Sequence, residues 1–113
     1  MPPSEVLKYL LDIESVISEL EQIVHLHDND YLKFQGNFMA VRAAERDLMI
    51  IGEAINKLKK LNFKGQISGA RQIIGLRNLI AHSYDSIDPT IIWTILQKDL
   101  PVMKQEILAF KGK

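Results

Sequence analysis

The sequence predicts an all-α protein, a four- to five-helix antiparallel bundle formed as one domain over residues 1–113. Two patterns support this prediction. Apolar residues recur at three- and four-residue spacing over long stretches, as on the buried face of a helix. No segment shows the two-residue alternation that is typical of a half-buried strand. A chain of 113 residues is long enough for one hydrophobic core but not for two.

The composition is that of an ordinary globular protein, with 47% hydrophobic and 25% charged residues. The chain has no cysteine, so it can form neither a disulfide nor a thiolate metal site. Its first residues lack the basic start and apolar run of a secretory signal, and no apolar run approaches the ~20 residues of a membrane span. We therefore expect a cytoplasmic protein with no membrane contact.

Charge is distributed unevenly along a chain whose formal net charge is zero. Residues 1–30 carry seven acidic residues and one lysine, whereas the remainder carries thirteen basic and seven acidic residues. This asymmetry predicts an acidic face and a basic face, and the basic half favours an anionic ligand. The alternative is that both halves are simply solvated surface.

The first two helices follow from apolar periodicity. The first is expected to begin at Pro3 and Ser4 and to end near the polar stretch from His25 to Asn29. The second is expected over about residues 31–61, with a break or bend at Gly36. Their predicted core faces are Val6, Leu10, Ile13, Val16, Ile17, Leu20, Ile23 and Val24 in the first, and Phe34, Phe38, Val41, Leu48, Ile51, Ile55 and Leu58 in the second.

The second half of the chain predicts two further helices. One should span about residues 68–81 after a connection rich in Asn, Lys and Gly. The last should begin with Asp88 as its N-cap and Pro89 at its first helical position, and Pro101 should kink it. Their apolar positions are Ile73, Ile74, Leu76, Leu79 and Ile80 in the former, and Ile91, Ile92, Trp93, Ile95, Leu96, Leu100, Met103, Ile107 and Leu108 in the latter.

Chemically active side chains are concentrated in residues 77–84, at the end of the third predicted helix. Arg77 offers a rigid fork of donors that matches phosphate oxygens. His82 can exchange a proton near neutral pH. Asn78, Ser83 and Tyr84 add an amide and two hydroxyls. Together these groups can hold and cleave a phosphodiester without a metal, and the sequence predicts no metal site.

Helical geometry limits how this site can be built. On a continuous helix Arg77 and His82 lie ~140° apart, whereas Asn78 and His82 share a face. One ordinary helix therefore cannot direct both side chains at one phosphate. Either the helix ends before His82 and the backbone turns, or a second protomer completes the site.

The order Arg-x4-His-x-Tyr, with Asn directly after the Arg, resembles the signature of the HEPN superfamily and, more narrowly, the HepT-like toxins of prokaryotic toxin–antitoxin pairs. The resemblance extends from about Val41 to the C-terminus, through the stretches 46–54, 87–93 and 99–101. It implies a HEPN-like bundle and a metal-independent endoribonuclease without a cofactor, the toxin of a type VII pair. It also implies a homodimer whose motifs face each other across a two-fold axis.

The resemblance implies roles for the motif residues. His82 would move a proton, Arg77 would stabilise charge on phosphorus, Asn78 would orient the imidazole or bind a phosphate oxygen, and Ser83 and Tyr84 would contact the RNA backbone. A cognate minimal nucleotidyltransferase antitoxin would transfer AMP to Tyr84 and so exclude RNA.

Two alternatives stay open at this stage. Arg46 and Glu53 are candidates to support the motif from the preceding helix, but Arg42, Glu45 and Arg46 are also spaced as surface ion pairs. The whole chain is either the nuclease described above or a non-catalytic helical module that binds a nucleotidyltransferase partner or a nucleotide. In that case Arg77 and His82 would only cap a helix end.

Overall fold

The computed structural model describes residues 2–82 and 88–112, and for Arg77 and residues 80–82 it describes the backbone alone. No strand occurs in these two stretches, which confirms the all-α prediction. The helices are α1 (Ser4–Leu26), α2 (Tyr31–Gln35), α3 (Phe38–Lys60), α4 (Ala70–His82), α5 (Pro89–Thr94) and α6 (Leu100–Lys111), and a π-helical turn (Ile95–Asp99) joins α5 to α6.

The first helix follows the sequence prediction closely. It ends at Leu26, and the chain then turns through Asp28 and Asn29, which both adopt the left-handed conformation. The apolar stripe faces the core, with six buried positions, Val6, Leu10, Ile13, Val16, Ile17 and Leu20. Since each such side chain contributes roughly 1.5–3 kcal/mol when removed from water, α1 is held mainly by this face.

The break predicted at Gly36 separates α2 from α3. Asp30 caps α2 and Asn37 caps α3, each by accepting hydrogen bonds from two backbone amides of the following turn. Phe34 of α2 is fully buried, and its ring centroid lies 5.1 Å from that of Trp93 on α5. The short helix α2 therefore closes one end of the bundle against α5.

The bundle is closed by packing between distant parts of the chain. α1 packs against α3 and α6, and α4 packs against α3. Across the contact between α1 and α6, Glu21 pairs with Lys104 at 2.9 Å, and Glu14 pairs with Lys111. Two acids of the N-terminal segment are thus neutralised by lysines of the last helix.

The last helix begins as predicted but is interrupted earlier than expected. Asp88 caps α5 by accepting a 2.9 Å hydrogen bond from the Thr90 amide, and Pro89 occupies the first helical turn. The interruption lies at the π-helical turn before Pro101. Proline lacks an amide hydrogen, and its ring crowds the carbonyl four residues earlier, so a wider turn at this place relieves the conflict.

Four apolar residues at predicted core positions are instead exposed, and one of them is Leu108 of α6, at 38% exposure. Phe38 is 72% exposed because it lies directly after the Asn37 cap, before α3 enters the bundle. Leu79 of α4 is 55% exposed and Ile91 of α5 is 48% exposed. Helical spacing places the last two beside the core stripe, but no described element covers them. No described helix combines the length and the apolar character needed to cross a membrane.

Candidate functional site on helix α4

Helix α4 carries Arg77, Asn78 and His82 on one uninterrupted backbone, because it runs from Ala70 through His82. The proposal that the helix ends before His82 is therefore wrong. The sequence explains the difference, since no glycine or proline occurs between Gly75 and Pro89 and Leu79 and Ala81 are good helix formers. Positions 77 and 82 consequently lie ~140° apart around the helix axis, and 78 and 82 lie within ~40°.

The two faces of α4 are distinct. Ile73 and Leu76 are buried at 0% and 3% exposure, on the side that packs against α3. Asn78 and Leu79 are exposed, and Gly75 is also exposed with no atom within 4 Å of the place where a Cβ would stand. Helical periodicity puts the backbone position of residue 82 on this same outer face.

An apolar groove of about 630 Å³ runs beside that outer face. Its floor is formed by Leu76 and Leu79 of α4 together with Ile91 and Ile95 from α5 and the π-helical turn. Polar residues form its rim, namely Gln72, Asp88, Thr90, Thr94, Lys98 and Asp99. The exposed Leu79 and Ile91 noted above thus belong to one continuous apolar depression beside the predicted motif.

Ser83 and Tyr84 lie outside the described residues, so their predicted roles stay predictions. The start of α5, which follows residues 83–87 in the chain, is held in place by two side-chain contacts. Besides the Asp88 cap, the Thr90 hydroxyl is hydrogen-bonded to the hydroxyl of Tyr31 at 2.8 Å, which ties the start of α5 to α2. The segment 83–87 therefore connects the outer end of α4 to a fixed point on α5.

Arg46 and Glu53, the predicted supporting residues, both lie exposed on α3. They are seven residues apart and so share one side of that helix. Among the side chains that the structure describes, which do not include those of Arg77 and residues 80–82, no salt bridge or hydrogen bond joins either of them to α4. The structure therefore places them on the solvent side of α3 and does not bring them together with the described part of the motif.

The alternative in which Glu45 forms an ion pair with Arg42 is confirmed for the pairing, but Glu45 is not a surface residue, because it is only 6% exposed. One carboxylate oxygen lies 3.9 Å from the Arg42 guanidinium, and the other has no hydrogen-bond partner among the described residues. Its position four residues after Val41 and seven before Gly52, both buried, was the signal that could have revealed its burial.

Asp47 is a second buried acid that the sequence interpretation missed. It is 7% exposed, and burial together with the neighbouring Glu19 raises its pKa from 3.8 to about 6. It lies three residues after Ala44 and four before Ile51, inside the apolar stripe of α3, so the spacing alone marks it as buried. In the described part of the chain, no three potential metal-ligating side chains come together.

Comparison with known proteins matches this chain over most of its length. The family model for HepT-like ribonucleases matches residues 8–110. A candidate RNase of Methanocaldococcus jannaschii, MJ1380, is 32% identical over 109 residues, covering 95% of this chain and 97% of the relative. A candidate RNase of Caldanaerobacter subterraneus, TTE0752, is 28% identical over 101 residues, covering 84% and 87%.

The relatives are of nearly the same length as this chain, and each aligns with most of it. No solved structure gives a significant match. The family match includes all of α2 to α5, most of α1 and all of α6 except its last residue, and with them the Arg-x4-His-x-Tyr motif. The chain therefore belongs to the HepT-like ribonuclease family of the HEPN superfamily, which supports a ribonuclease-type function.

Proposed function

We propose that this protein is a metal-independent endoribonuclease and that Arg77, Asn78 and His82 form its catalytic centre. The observation that carries this proposal is the motif on the outer half of a continuous α4, in a chain of the HepT-like ribonuclease family. The 2′-hydroxyl of RNA, which DNA lacks, supplies the nucleophile. The family match and the residue types of the motif support this chemistry.

The reaction balances without an added reactant. The 2′-oxygen forms a bond to phosphorus while the bond from phosphorus to the 5′-oxygen breaks, leaving a 2′,3′-cyclic phosphate and a 5′-hydroxyl. One proton leaves the 2′-hydroxyl and one reaches the 5′-oxygen, and His82 carries one of these transfers. Arg77 stabilises the charge that builds on the phosphoryl oxygens. Asn78 orients the imidazole or binds a phosphate oxygen.

The catalytic centre is proposed to form between two protomers. Because α4 is continuous, its own geometry separates positions 77 and 82 by ~140°. A second copy that packs on the apolar groove would bring the outer face of its α4 alongside, so that Arg77 of one chain meets His82 of the other. An isologous dimer creates two such centres.

Regulation is proposed to act on Tyr84. A minimal nucleotidyltransferase antitoxin transfers AMP from a nucleoside triphosphate to the phenol oxygen, and pyrophosphate leaves. The added phosphate pairs with the guanidinium of Arg77 and its bulk excludes RNA. Ser83 is a further hydroxyl that contacts substrate in this arrangement. The protein is accordingly the toxin of a type VII toxin–antitoxin pair that acts in the cytoplasm.

The activity is tested with purified protein and RNA in the presence of EDTA. The parent should cleave, and His82→Ala and Arg77→Ala should each lose activity on the order of a hundredfold or more. His25→Ala is the matched control, since His25 is exposed on α1 outside the motif. A His82→Ala protein that cuts as fast as the parent would show that the assignment is wrong, and loss of cleavage in EDTA would exclude the metal-independent route.

Mixing the two inactive variants tests whether the centre is shared. If Arg77 and His82 come from different chains, a heterodimer of Arg77→Ala with His82→Ala contains one intact centre, and random pairing restores about a quarter of the parent activity. If each chain holds a complete centre, no mixture regains activity. This outcome would leave the nuclease proposal standing and remove the dimer proposal.

The regulation is tested by co-expression with the nucleotidyltransferase encoded beside this protein. Mass spectrometry should find one or more adenylyl groups on Tyr84, and Tyr84→Phe should stay toxic in the presence of the antitoxin. Neutralisation of the phenylalanine variant as complete as that of the parent would instead indicate inhibition by simple occlusion. If no variant is toxic and no RNA is cleaved, the chain is a non-catalytic module that binds the nucleotidyltransferase.

A further inference from the structure

A second, basic groove lies between α3 and α4 at the end of the bundle that contains the connection 61–69. Its volume is about 560 Å³. Three cationic side chains line it, Lys59 at the end of α3, Lys64 in the connection and Arg71 in the first turn of α4, and no acidic residue lines it. All three are exposed. Apolar residues form the floor, namely Ile55, Leu58, Phe63, Ile67, Ala70 and Ile74.

These three cations line one groove and have no acidic partner among the described residues, a property that Lys57, Lys60 and Lys98 share outside the groove. Lys8, Lys33, Lys104 and Lys111 all form ion pairs with described carboxylates. Within residues 2–82 and 88–112, none of Lys59, Lys64 and Arg71 does so. The carboxylate of Glu106, which approaches the connection from α6, instead accepts hydrogen bonds from the Ser68 amide and hydroxyl at 2.8 and 2.7 Å.

The connection that presents Lys64 is held in a fixed shape. The Phe63 ring packs edge-on against Phe110 of α6 with centroids 5.2 Å apart. Gly65 is needed beside it, because a Cβ there would stand 2.5 Å from the Phe63 ring. Gly69 adopts a φ of +78° with Asp99 close behind it. Together with the Ser68 hydrogen bonds, these contacts fix the groove before any ligand arrives, so little ordering accompanies binding.

The groove leads towards the proposed catalytic centre. Arg71, Ile74 and Asn78 follow one another at three- and four-residue spacing and therefore lie along one line of α4. From Arg71 to the backbone of residue 82 the helix rises ~16 Å, a distance that about five nucleotides of a stacked strand cover at ~3.4 Å each. A strand with its scissile phosphate at the motif would thus reach the three cations with its neighbouring phosphates.

We propose that the groove lined by Lys59, Lys64 and Arg71 binds the phosphate backbone of single-stranded RNA several nucleotides away from the bond that is cut. Unpaired cations meet the phosphates, and the apolar floor with the edge of Phe63 accommodates ribose and base surfaces. This inference rests on the proposed nuclease function, because it assigns the groove to the substrate of that centre. It predicts that long RNA is held more tightly than a dinucleotide and that the difference depends on these three residues.

The test is a triple variant, Lys59→Gln, Lys64→Gln and Arg71→Gln. Its matched control is the triple variant Lys8→Gln, Lys104→Gln and Lys111→Gln, which changes the net charge equally but on the α1 and α6 side of the bundle. Binding of a 2′-O-methyl ten-nucleotide RNA, which cannot be cut, is measured by fluorescence anisotropy at several salt concentrations. Lys8 and the three groove residues are exposed, whereas Lys104 and Lys111 are half-buried, so melting curves verify that both variants fold.

The groove variant should bind this RNA at least roughly tenfold more weakly than the control variant. The slope of the logarithm of its binding constant against the logarithm of salt concentration should be shallower by about two, because each lost phosphate contact removes ~0.7 from the slope. In cleavage assays kcat/KM should fall for the ten-nucleotide RNA and stay unchanged for a dinucleotide. Equal binding by the two triple variants would overturn the inference, and so would an equal loss of cleavage on the dinucleotide. A mononucleotide that binds the parent as tightly as the ten-nucleotide RNA would assign the groove to a free nucleotide instead.

The binding arm also separates this inference from the proposed function. A protein that binds RNA through the groove but never cleaves it retains the inference about the groove while the nuclease proposal fails. If the parent cleaves RNA and the groove variant binds and cleaves RNA like the control variant, the nuclease proposal is retained while this inference fails.

Discussion

Asp47 places an ionisable group in the contact between α1 and α3, where it is 7% exposed. Burial is the larger cause of its raised pKa, and the negative charge of Glu19 across the contact adds to it. The folded protein therefore binds a proton at this carboxyl more tightly than the unfolded chain does. The stabilisation that follows is complete below the unfolded pKa of 3.8 and is lost as the pH rises through about 6.

Asp47→Asn should consequently raise the free energy of unfolding at pH 7.5 by roughly 1–2 kcal/mol, because it removes a charge that is held away from water. At pH 4, where the aspartate is already protonated in the folded state, the variant and the parent should unfold alike. Urea denaturation at the two pH values measures this. Asp12→Asn is the control, since Asp12 is solvent-accessible and paired with Lys8 at 2.9 Å. A loss of stability at pH 7.5 in Asp47→Asn would contradict the prediction.

At the scale of the element, α4 separates two surfaces of different character. The apolar groove lies on one side of α4 and the basic groove on the other, and the exposed Gly75 lines the apolar groove. A glycine inside a helix costs about 1 kcal/mol relative to alanine. Nothing within the described protomer requires it, since no atom lies within 4 Å of its missing Cβ. Close approach of another backbone in the proposed dimer would explain why a glycine stands at this position.

Substitution at this position should therefore affect association and folding in opposite directions. Gly75→Leu should prevent close approach and weaken the dimer at least roughly tenfold, while the added side chain favours the helix by about 0.5–1 kcal/mol. Sedimentation over a range of concentrations measures the first effect, and helical content by circular dichroism in the monomer range measures the second. Ala109→Leu on the exposed side of α6 is the control. A Gly75→Leu protein that dimerises like the parent would place the interface elsewhere.

For the whole molecule, local sequence patterns predicted where helices begin and end more accurately than they predicted which side chains are covered by other helices. The α1 stripe, the break at Gly36 and the Asp88 cap each depend on a few neighbouring residues, and all were confirmed. The exposure of Leu79 and Ile91 was not predicted, because it depends on which helices pack against them. The burial of Glu45 likewise depends on tertiary packing, and the spacing of charges along one helix carries no information about that packing.

The sequence predicted both the residues of the candidate site and its assembly from two protomers, and these stay predictions. The motif and its family were recognisable from Arg77, Asn78, His82 and Tyr84, and the family is confirmed. Whether α4 continues through His82 was left open, since the pattern of its last turn did not distinguish a helix end from a further helical residue. The basic groove was missed, because Lys59, Lys64 and Arg71 come together only when the connection folds back on α6.

The packing of α1 on α6 has a consequence for the synthesis of the protein. Glu14 and Glu21 meet their lysines 97 and 83 residues later in the chain, so the surface that covers the outer side of α1 is translated last. Long-range closure of this kind comes late in folding, and a nascent chain acquires it only when the final helix has left the ribosome. Although the motif is translated some thirty residues before the end of α6, the bundle that supports it is incomplete until then. In the order of synthesis, the motif therefore precedes the last helix of the bundle that supports it.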